Sequence, residues 1–281
     1  MLIRFGYEIV INCWSSTPIV TELSIEDKRH PDVRVPEVFF TDPDVENSTY
    51  RDVFGNLCRR FIAPPGNLMI RSDCVIEDSG EVDVISPDVE QTQVSSLPDD
   101  TLLYLMGSRY CETDRLSQIA WNLFGHTTPG WARAIWIRDW VHSHVRFDYM
   151  SARPIKTALD VFTERVGVCR DFQHLAITMC RAMNIPARYV TGYLGDIRRP
   201  YSGAGDFSAW YEVYLDGRWW TMDARHNDER MGRVLMALGR DATDVAITTS
   251  FGVANLLKFY VESFEVDEAG NKVPLPEVPI L

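Results

Sequence analysis

From Leu2 to Ile11 the chain is β-branched and aromatic-rich, and similar runs follow near 19–25, 57–63, 67–76 and 82–85. Pro, Gly, Asp and Asn separate them, which is the chemistry of turns between strands. Asp52-Val53-Phe54-Gly55-Asn56 has the composition of a hairpin turn. Almost nothing before residue 85 repeats at a helical period, so residues 1–90 predict a small all-β unit, a sandwich.

The pattern then changes. Residues 86–100 are acidic and poor in apolar side chains and predict a linker. Helical periods follow over about 115–124 and 131–146, punctuated by Gly125 and Pro129-Gly130. A short helix is predicted over 157–165. A longer one opens at Gly167 and stops before Asn184-Ile185-Pro186. Residues 187–194, 209–215 and 218–222 alternate like strands, and Asp216-Gly217 is a hairpin turn. Residues 231–247 read as a helix with a loop over a cleft, and the tail 274–279 is Pro-rich and loose. Helices followed by strands predict an α+β second half. The domain partition is 1–90, a linker with the first helix at 91–125, a second domain at 126–260 and a terminal strand or tail at 261–281.

Composition narrows the function classes. Apolar residues make up 46% and charged residues 24% of 281, as in an ordinary globular protein. No run of about 18 uncharged apolar residues occurs, so no membrane helix is expected. Glu8 interrupts the only candidate leader, which makes the cytoplasm the expected compartment. The net charge is −12, and residues 1–100 hold eight basic against 19 acidic side chains. A nucleic acid or an anionic membrane as partner is therefore not expected; an acidic N-terminal unit is a surface for a protein partner instead. Six cysteines lack any CxxC pair or zinc spacing, so free thiols, no metal and no cofactor are expected.

Among these thiols, Cys169 follows Gly167 at the start of a helix. Free N–H groups and the dipole there favour a thiolate and could hold an oxyanion; the alternative is a thiol packed under the helix. Its setting resembles the transglutaminase-like superfamily, whose core has papain-like geometry. The motifs run in order from Phe147-Asp148-Tyr149 through Thr157-Ala158-Leu159, Gly167-Val168-Cys169-Arg170-Asp171-Phe172 and Arg181 to Tyr193. They end with Ala209-Trp210-Tyr211-Glu212-Val213-Tyr214 and Arg218 to Asp223. Residues 1–85 resemble the β domain that precedes this core in bacterial members.

The resemblance implies a Cys-His-Asp triad with Cys169 as nucleophile and Asp223 as orienting acid. The His is expected immediately before Ala209, where this chain has Ser208, a hydroxyl with no basicity near neutral pH. Of the six histidines, His226 is the best replacement: it lies just past Asp223, with Asp223 or Asp206 as its partner, although a turn-capping role with Asn227 and Asp228 is equally open. His30 falls in the β unit and His126 in a loop. His142 and His144 point to different faces of one helix and read as surface residues. His174 sits about 140° around the helix from Cys169 and reads as core. Arg170 and Asp171 anchor the helix start, Tyr149 or a backbone N–H completes an oxyanion hole, and Trp210, Trp219 and Trp220 read as core. The implied activity is attack by Cys169 on a peptide or protein amide through a thioester, resolved by water. The alternatives are an amine-transferring transglutaminase and a catalytically degenerate binding protein that keeps the fold.

Overall fold

The computed structural model describes residues 1–203 and 205–278. Strands β1 (Leu2–Cys13), β2 (Thr17–Thr21), β3 (Val33–Val35), β4 (Phe40–Asp42), β5 (Asn47–Arg51), β6 (Leu57–Ala63) and β7 (Gly66–Glu77) open the chain. Helices α1 (Asp99–Leu102), α2 (Thr113–Phe124) and α3 (Trp131–His144), strand β8 (Arg146–Phe147), helix α4 (Ala158–Glu164), strand β9 (Val166–Gly167) and helix α5 (Cys169–Ala182) follow. Six strands close it: β10 (Ala187–Tyr193), β11 (Phe207–Leu215), β12 (Arg218–Met222), β13 (Val234–Gly239), β14 (Thr248–Ser250) and β15 (Ala254–Val266).

The first strands form two sheets, ordered β15-β1-β7-β3 with β4 also on β7, and β14-β2-β6-β5. Alternate residues of β1, from Ile3 through Phe5, Tyr7 and Ile9 to Ile11, are buried between them with Ile19, Phe61, Leu68 and Ile70. This is the expected sandwich, but it is not confined to residues 1–90. Strand β14 pairs with β2, and β15 runs along the whole of β1. A boundary at 260 cuts through β15. Its apolar sequence forms an edge of the first sheet, so the chain returns to the domain in which it started.

The second unit sets a sheet ordered β12-β11-β10-β13 against α2, α3 and α5. Helix α5 is buried on every side from Asp171 to Ala182, as a helix through the middle of a core must be. Its apolar residues Phe172, Leu175, Ala176 and Met179 pack against Ala209, Tyr211, Val213 and Leu215 of β11 and against the other helices. Its polar residues are each bonded: Arg181, for example, donates to the carbonyls of Ala187, Arg240 and Met106.

Three expectations are corrected here. Residues 231–247 supply strand β13, paired antiparallel with β10, in place of a helix: Val234-Leu235-Met236-Ala237-Leu238 is a continuous apolar run, and such runs suit a buried strand as well as a helix. Residues 82–85 form no strand; Asp83 turns toward the second unit instead. The stretch 86–100 is not a solvated tether. Val89 is buried, its carbonyl accepts the Trp131 N–H, and Gln91 donates to Met183 O.

The two units share apolar contacts. Tyr193, Phe207, Met231 and Val234 join the core of the sandwich, with the Tyr193 ring tilted against Phe5 at a centroid distance of 4.6 Å. The 52–56 turn also docks. The Asn56 side chain donates to Leu238 O at 2.8 Å and accepts the Leu238 N–H at 2.9 Å, so it pairs with the outer edge of β13.

Candidate active site

Helix α5 starts where it does because of Gly167 and Asp171. The Asp171 carboxylate, fully buried, accepts the Val168 N–H at 3.0 Å and is paired with Arg170. A Cβ on Gly167 would lie 2.6 Å from that of Asp171, so only glycine allows the approach. The parallel pair β8–β9 then lays Phe147 to Tyr149 beside the helix start, with Asp148 N donating to Gly167 O.

Cys169 occupies the first position of α5, against a split in the sheet. Strand β12 pairs with β11 only from Tyr211↔Met222 outward. Beyond that point the Ala209 backbone faces an open edge. Gln173, one turn along from Cys169, donates to Ala209 O at 3.0 Å, and the Ala209 N–H points to the Cys169 sulfur.

Asp223 follows β12 directly and is 4% exposed. Oδ1 accepts N–H groups from Gln173 at 3.1 Å, Arg225 at 2.9 Å and His226 at 3.1 Å. Oδ2 accepts His226 Nδ1 at 2.9 Å and both terminal nitrogens of Arg233 at 3.1 Å. Burial alone would raise this carboxyl, but the Arg233 cation and the His226 bonds outweigh it and hold it well below the usual carboxylate range. The short turn through Asn227, which has φ 55°, swings His226 back onto the acid. His226 keeps 23% of its side chain exposed, and with Nδ1 committed, Nε2 is the face left to take a proton.

The thiol differs from expectation. Burial, then the nearby Asp206 carboxylate, push Cys169 up to about 11, while the N–H groups of Arg170 and Ala209 pull the other way. The helix start is present and does not win, so the resting sulfur is protonated. Among the described residues no hydrogen bond joins it to a histidine ring. Tyr149 stands close by, 60% exposed, its phenol raised by burial, by Asp206 and by the thiol. Arg225 lies 3.8 Å over the Phe147 ring. Ser208, on β11, is paired opposite Gly192 of β10. It shares a face with Trp210, over which Arg233 lies at 5.2 Å.

The other histidines are placed elsewhere. His174 is fully buried, stacked on Tyr110 at 5.0 Å, and its Nε2 accepts the Ala242 N–H. His144 is not a free surface residue: it stacks on Trp140 at 4.2 Å and lies against Phe162. His142 is exposed, with Nδ1 3.2 Å from Ala224 O. His126 meets the edge of Trp136, and His30 lies near Asp27 in the sandwich unit. Trp210 and Trp220 are buried, as expected of core residues. All six cysteines are free. Glu22, Asp52 and Cys58 of the sandwich offer ligand atoms within 4.8 Å of one another, but Asp52 is already committed to the N–H groups of its own turn.

Sequence reasoning missed Gln173 and Arg233. Gln173 had one readable signal, its i+4 spacing from Cys169, which puts both on one face of the helix. Arg233 had none, because nothing local in Gly232-Arg233 points to an acid ten residues earlier.

No described helix is long and apolar enough to cross a membrane. Residues 118–224 match the family model of the transglutaminase-like superfamily. An uncharacterised protein of Mycobacterium leprae is 28% identical over 214 residues, 73% of this chain and 76% of that one. Human kyphoscoliosis peptidase is 31% identical over 106 residues, 35% of this chain and only 16% of the peptidase. A solved structure of a candidate cysteine protease from Cytophaga hutchinsonii superposes with a TM-score of 0.83 at 28% identity, covering 98% of this chain and 93% of that one. The helix-borne thiol, the split sheet and the acid at the end of β12 thus stand in a matching fold, and residues 118–224 are similar to the core of the transglutaminase-like superfamily.

Proposed function

We propose that the protein is a cysteine-nucleophile amide hydrolase working through Cys169, His226 and Asp223. The observation that carries this reading is the His226 Nδ1–Asp223 Oδ2 bond at 2.9 Å. It rebuilds an acid–imidazole pair after the strand position of the family His has become Ser208. Gln173 ties that pair to the helix of the nucleophile through Asp223 Oδ1 and the Ala224 N–H.

In the proposed cycle the Cys169 S–H transfers its proton to His226 Nε2 as the sulfur attacks a peptide or protein amide carbonyl. Asp223, ionised, holds the Nδ1–H tautomer and stabilises the imidazolium. The N–H groups at the start of α5, with the Tyr149 hydroxyl, donate to the developing oxyanion. Collapse breaks the C–N bond, and His226 returns its proton to the leaving amine. Water, deprotonated by His226, then attacks the thioester and releases the acid and the thiol. A raised thiol suits this order, since the proton leaves only when a substrate is in place.

A second reading, a binding protein on an enzyme scaffold, draws on the missing thiol–imidazole hydrogen bond and on Ser208. One experiment separates the two. The full chain is incubated with a mixed peptide library, and cleavage and acyl-enzyme formation are followed by mass spectrometry, with Cys169→Ala and His226→Ala as controls. Cleavage that needs both side chains supports the hydrolase. Peptide retention without any acylation of Cys169 supports the binding protein. Amine incorporation in place of hydrolysis supports acyl transfer to an amine.

A further inference from the structure

Arg233 is the least expected part of this site. Its side chain is 9% exposed and carries two carboxylates at once. One side of the guanidinium meets Asp83, with Nε 3.0 Å from each carboxylate oxygen and Nη2 2.9 Å from Oδ2. The other side meets Asp223 Oδ2 through Nη1 and Nη2. Asp83 is fixed in turn by the backbone: its N–H donates to Arg230 O at 2.9 Å, and its Oδ2 accepts the Arg230 N–H at 3.1 Å. The chain of contacts therefore runs from the segment that leaves the sandwich, through Arg233, to Asp223 and His226.

We propose that Arg233, set in place by Asp83, is a positioning residue that orients and ionises Asp223 and thereby tunes the basicity of His226. The proposal rests on the catalytic reading of the Asp223–His226 pair. Asp223 Oδ2 is shared between a fixed cation and a neutral imidazole. The cation takes up part of the carboxylate's charge, so less of it is left to stabilise an imidazolium at His226. The titratable groups that face this pair are the Arg233 cation and the neutral Cys169 thiol; Arg233 faces Asp83 and Asp223, and Arg230 stands behind it with Asp196. Ser208 shares the Trp210 face of β11, so Arg233 approaches the acid from the side on which residue 208 projects. On this account the sandwich unit contributes to the site through Asp83 rather than serving only as an attached domain.

The test does not need a substrate. The His226 imidazole of the full chain is titrated by NMR, with the signal assigned by loss in His226→Gln. Arg233→Met removes the cation and is expected to raise the His226 midpoint by about one pH unit or more, the size of shift an opposite or like charge at this range produces. Arg233→Lys keeps the charge and is expected to return most of that shift. Asp83→Asn, at an anion whose side chain is 20% exposed, leaves Arg233 uncompensated and is expected to move His226 the other way. A role limited to packing moves none of these midpoints. An unchanged His226 titration in folded Arg233→Met or folded Asp83→Asn overturns the proposal. If Arg233→Met does not fold, the Asp83→Asn measurement decides. The expected shifts in a protein that cleaves no amide would leave this inference standing and remove the hydrolase reading alone.

Discussion

Two histidines, one on helix α5 and one on the loop after β12, put the imidazole to opposite uses. His174 lies within the helix, fully buried between Tyr110 and Tyr189, and its acceptor nitrogen is spent on the Ala242 N–H. Burial pushes it down to about 3, against the opposite pull of Asp241. His226 lies on a loop, part-exposed, its donor nitrogen on an ionised Asp223 and its other nitrogen uncommitted. The lesson is that distance along the sequence from the nucleophile says little. His174 is five residues from Cys169 and locked neutral, whereas His226 is 57 residues away and keeps a basic nitrogen available.

The comparison breaks most visibly on truncation. His226→Ala is expected to lower amide cleavage by about 10²- to 10⁴-fold, the usual worth of a positioned general base. Cys169→Ala is expected to abolish it. Both should leave the fold intact, since Asp223 keeps Gln173 and Arg233 as partners. His174→Ala is expected to do the reverse: a loss of about 3 kcal/mol from a filled core position, with activity per folded molecule retained. Urea midpoints beside cleavage rates check this, and a stable but inactive His174→Ala would reverse the assignment of the two rings.

A second effect concerns the thiol. Carbamidomethylation of Cys169 by iodoacetamide, read by peptide mapping against Cys169→Ala, should show an apparent midpoint above the free-thiol value of about 8.5. Burial is the first cause and the Asp206 carboxylate the second. Asp206→Asn should therefore lower the midpoint, and by less than the whole displacement. A midpoint below about 8 in the wild-type chain would mean that the helix start prevails over burial after all.

Acid stability sharpens the same contrast. The folded-state value of His174 is depressed below the unfolded one, so the unfolded chain takes up a proton first as the pH falls. The stability it contributes is complete above about 6.5 and declines toward 3. Asp223 is also depressed, and its contribution is lost at still lower pH, below the ordinary carboxylate value near 4. His174→Gln is expected to flatten the fall in urea midpoint between pH 6.5 and 4 while leaving the steeper loss below 4. Identical profiles in the two proteins would remove His174 as the source of the upper phase.

These contrasts also mark what the sequence could tell. The start of α5, the strands from 187 to 222 and the placement of Cys169, Asp223 and His226 were legible, because periodicity, turn residues and an ordered set of motifs agreed. Strand β13 was not, because Val234-Leu235-Met236-Ala237-Leu238 lacks alternation when both faces are covered. Strand β15 was read only from 261 on, as a terminal strand or tail, and its place in the sandwich was not, because its partner β1 lies about 250 residues earlier and pairing across that separation leaves no local trace. Arg233 and Asp83, 150 residues apart, are ordinary charged residues until the fold puts them together. The thiol was misjudged for a related reason: a helix terminus is visible in a sequence, whereas the burial that opposes it is not.

The smallest expected effect concerns Ser208→His, which restores the residue type the family resemblance implies at that position. In an otherwise vacant site such a change would recruit Asp223 and activate the thiol. Here Asp223 already accepts six N–H groups from Gln173, Arg225, His226 and Arg233, more than the roughly four lone-pair sites of a carboxylate can serve well. The Arg233 cation also lies on the face where residue 208 projects, which disfavours a second imidazolium there. Ser208→His is therefore expected to leave the Cys169 alkylation rate within about twofold of wild type. Combined with His226→Ala, which vacates part of Oδ2, the same change is expected to raise reactivity over His226→Ala alone. An increase of tenfold or more from Ser208→His by itself would mean that the acid is still unclaimed and that His226 is only a cap on its turn.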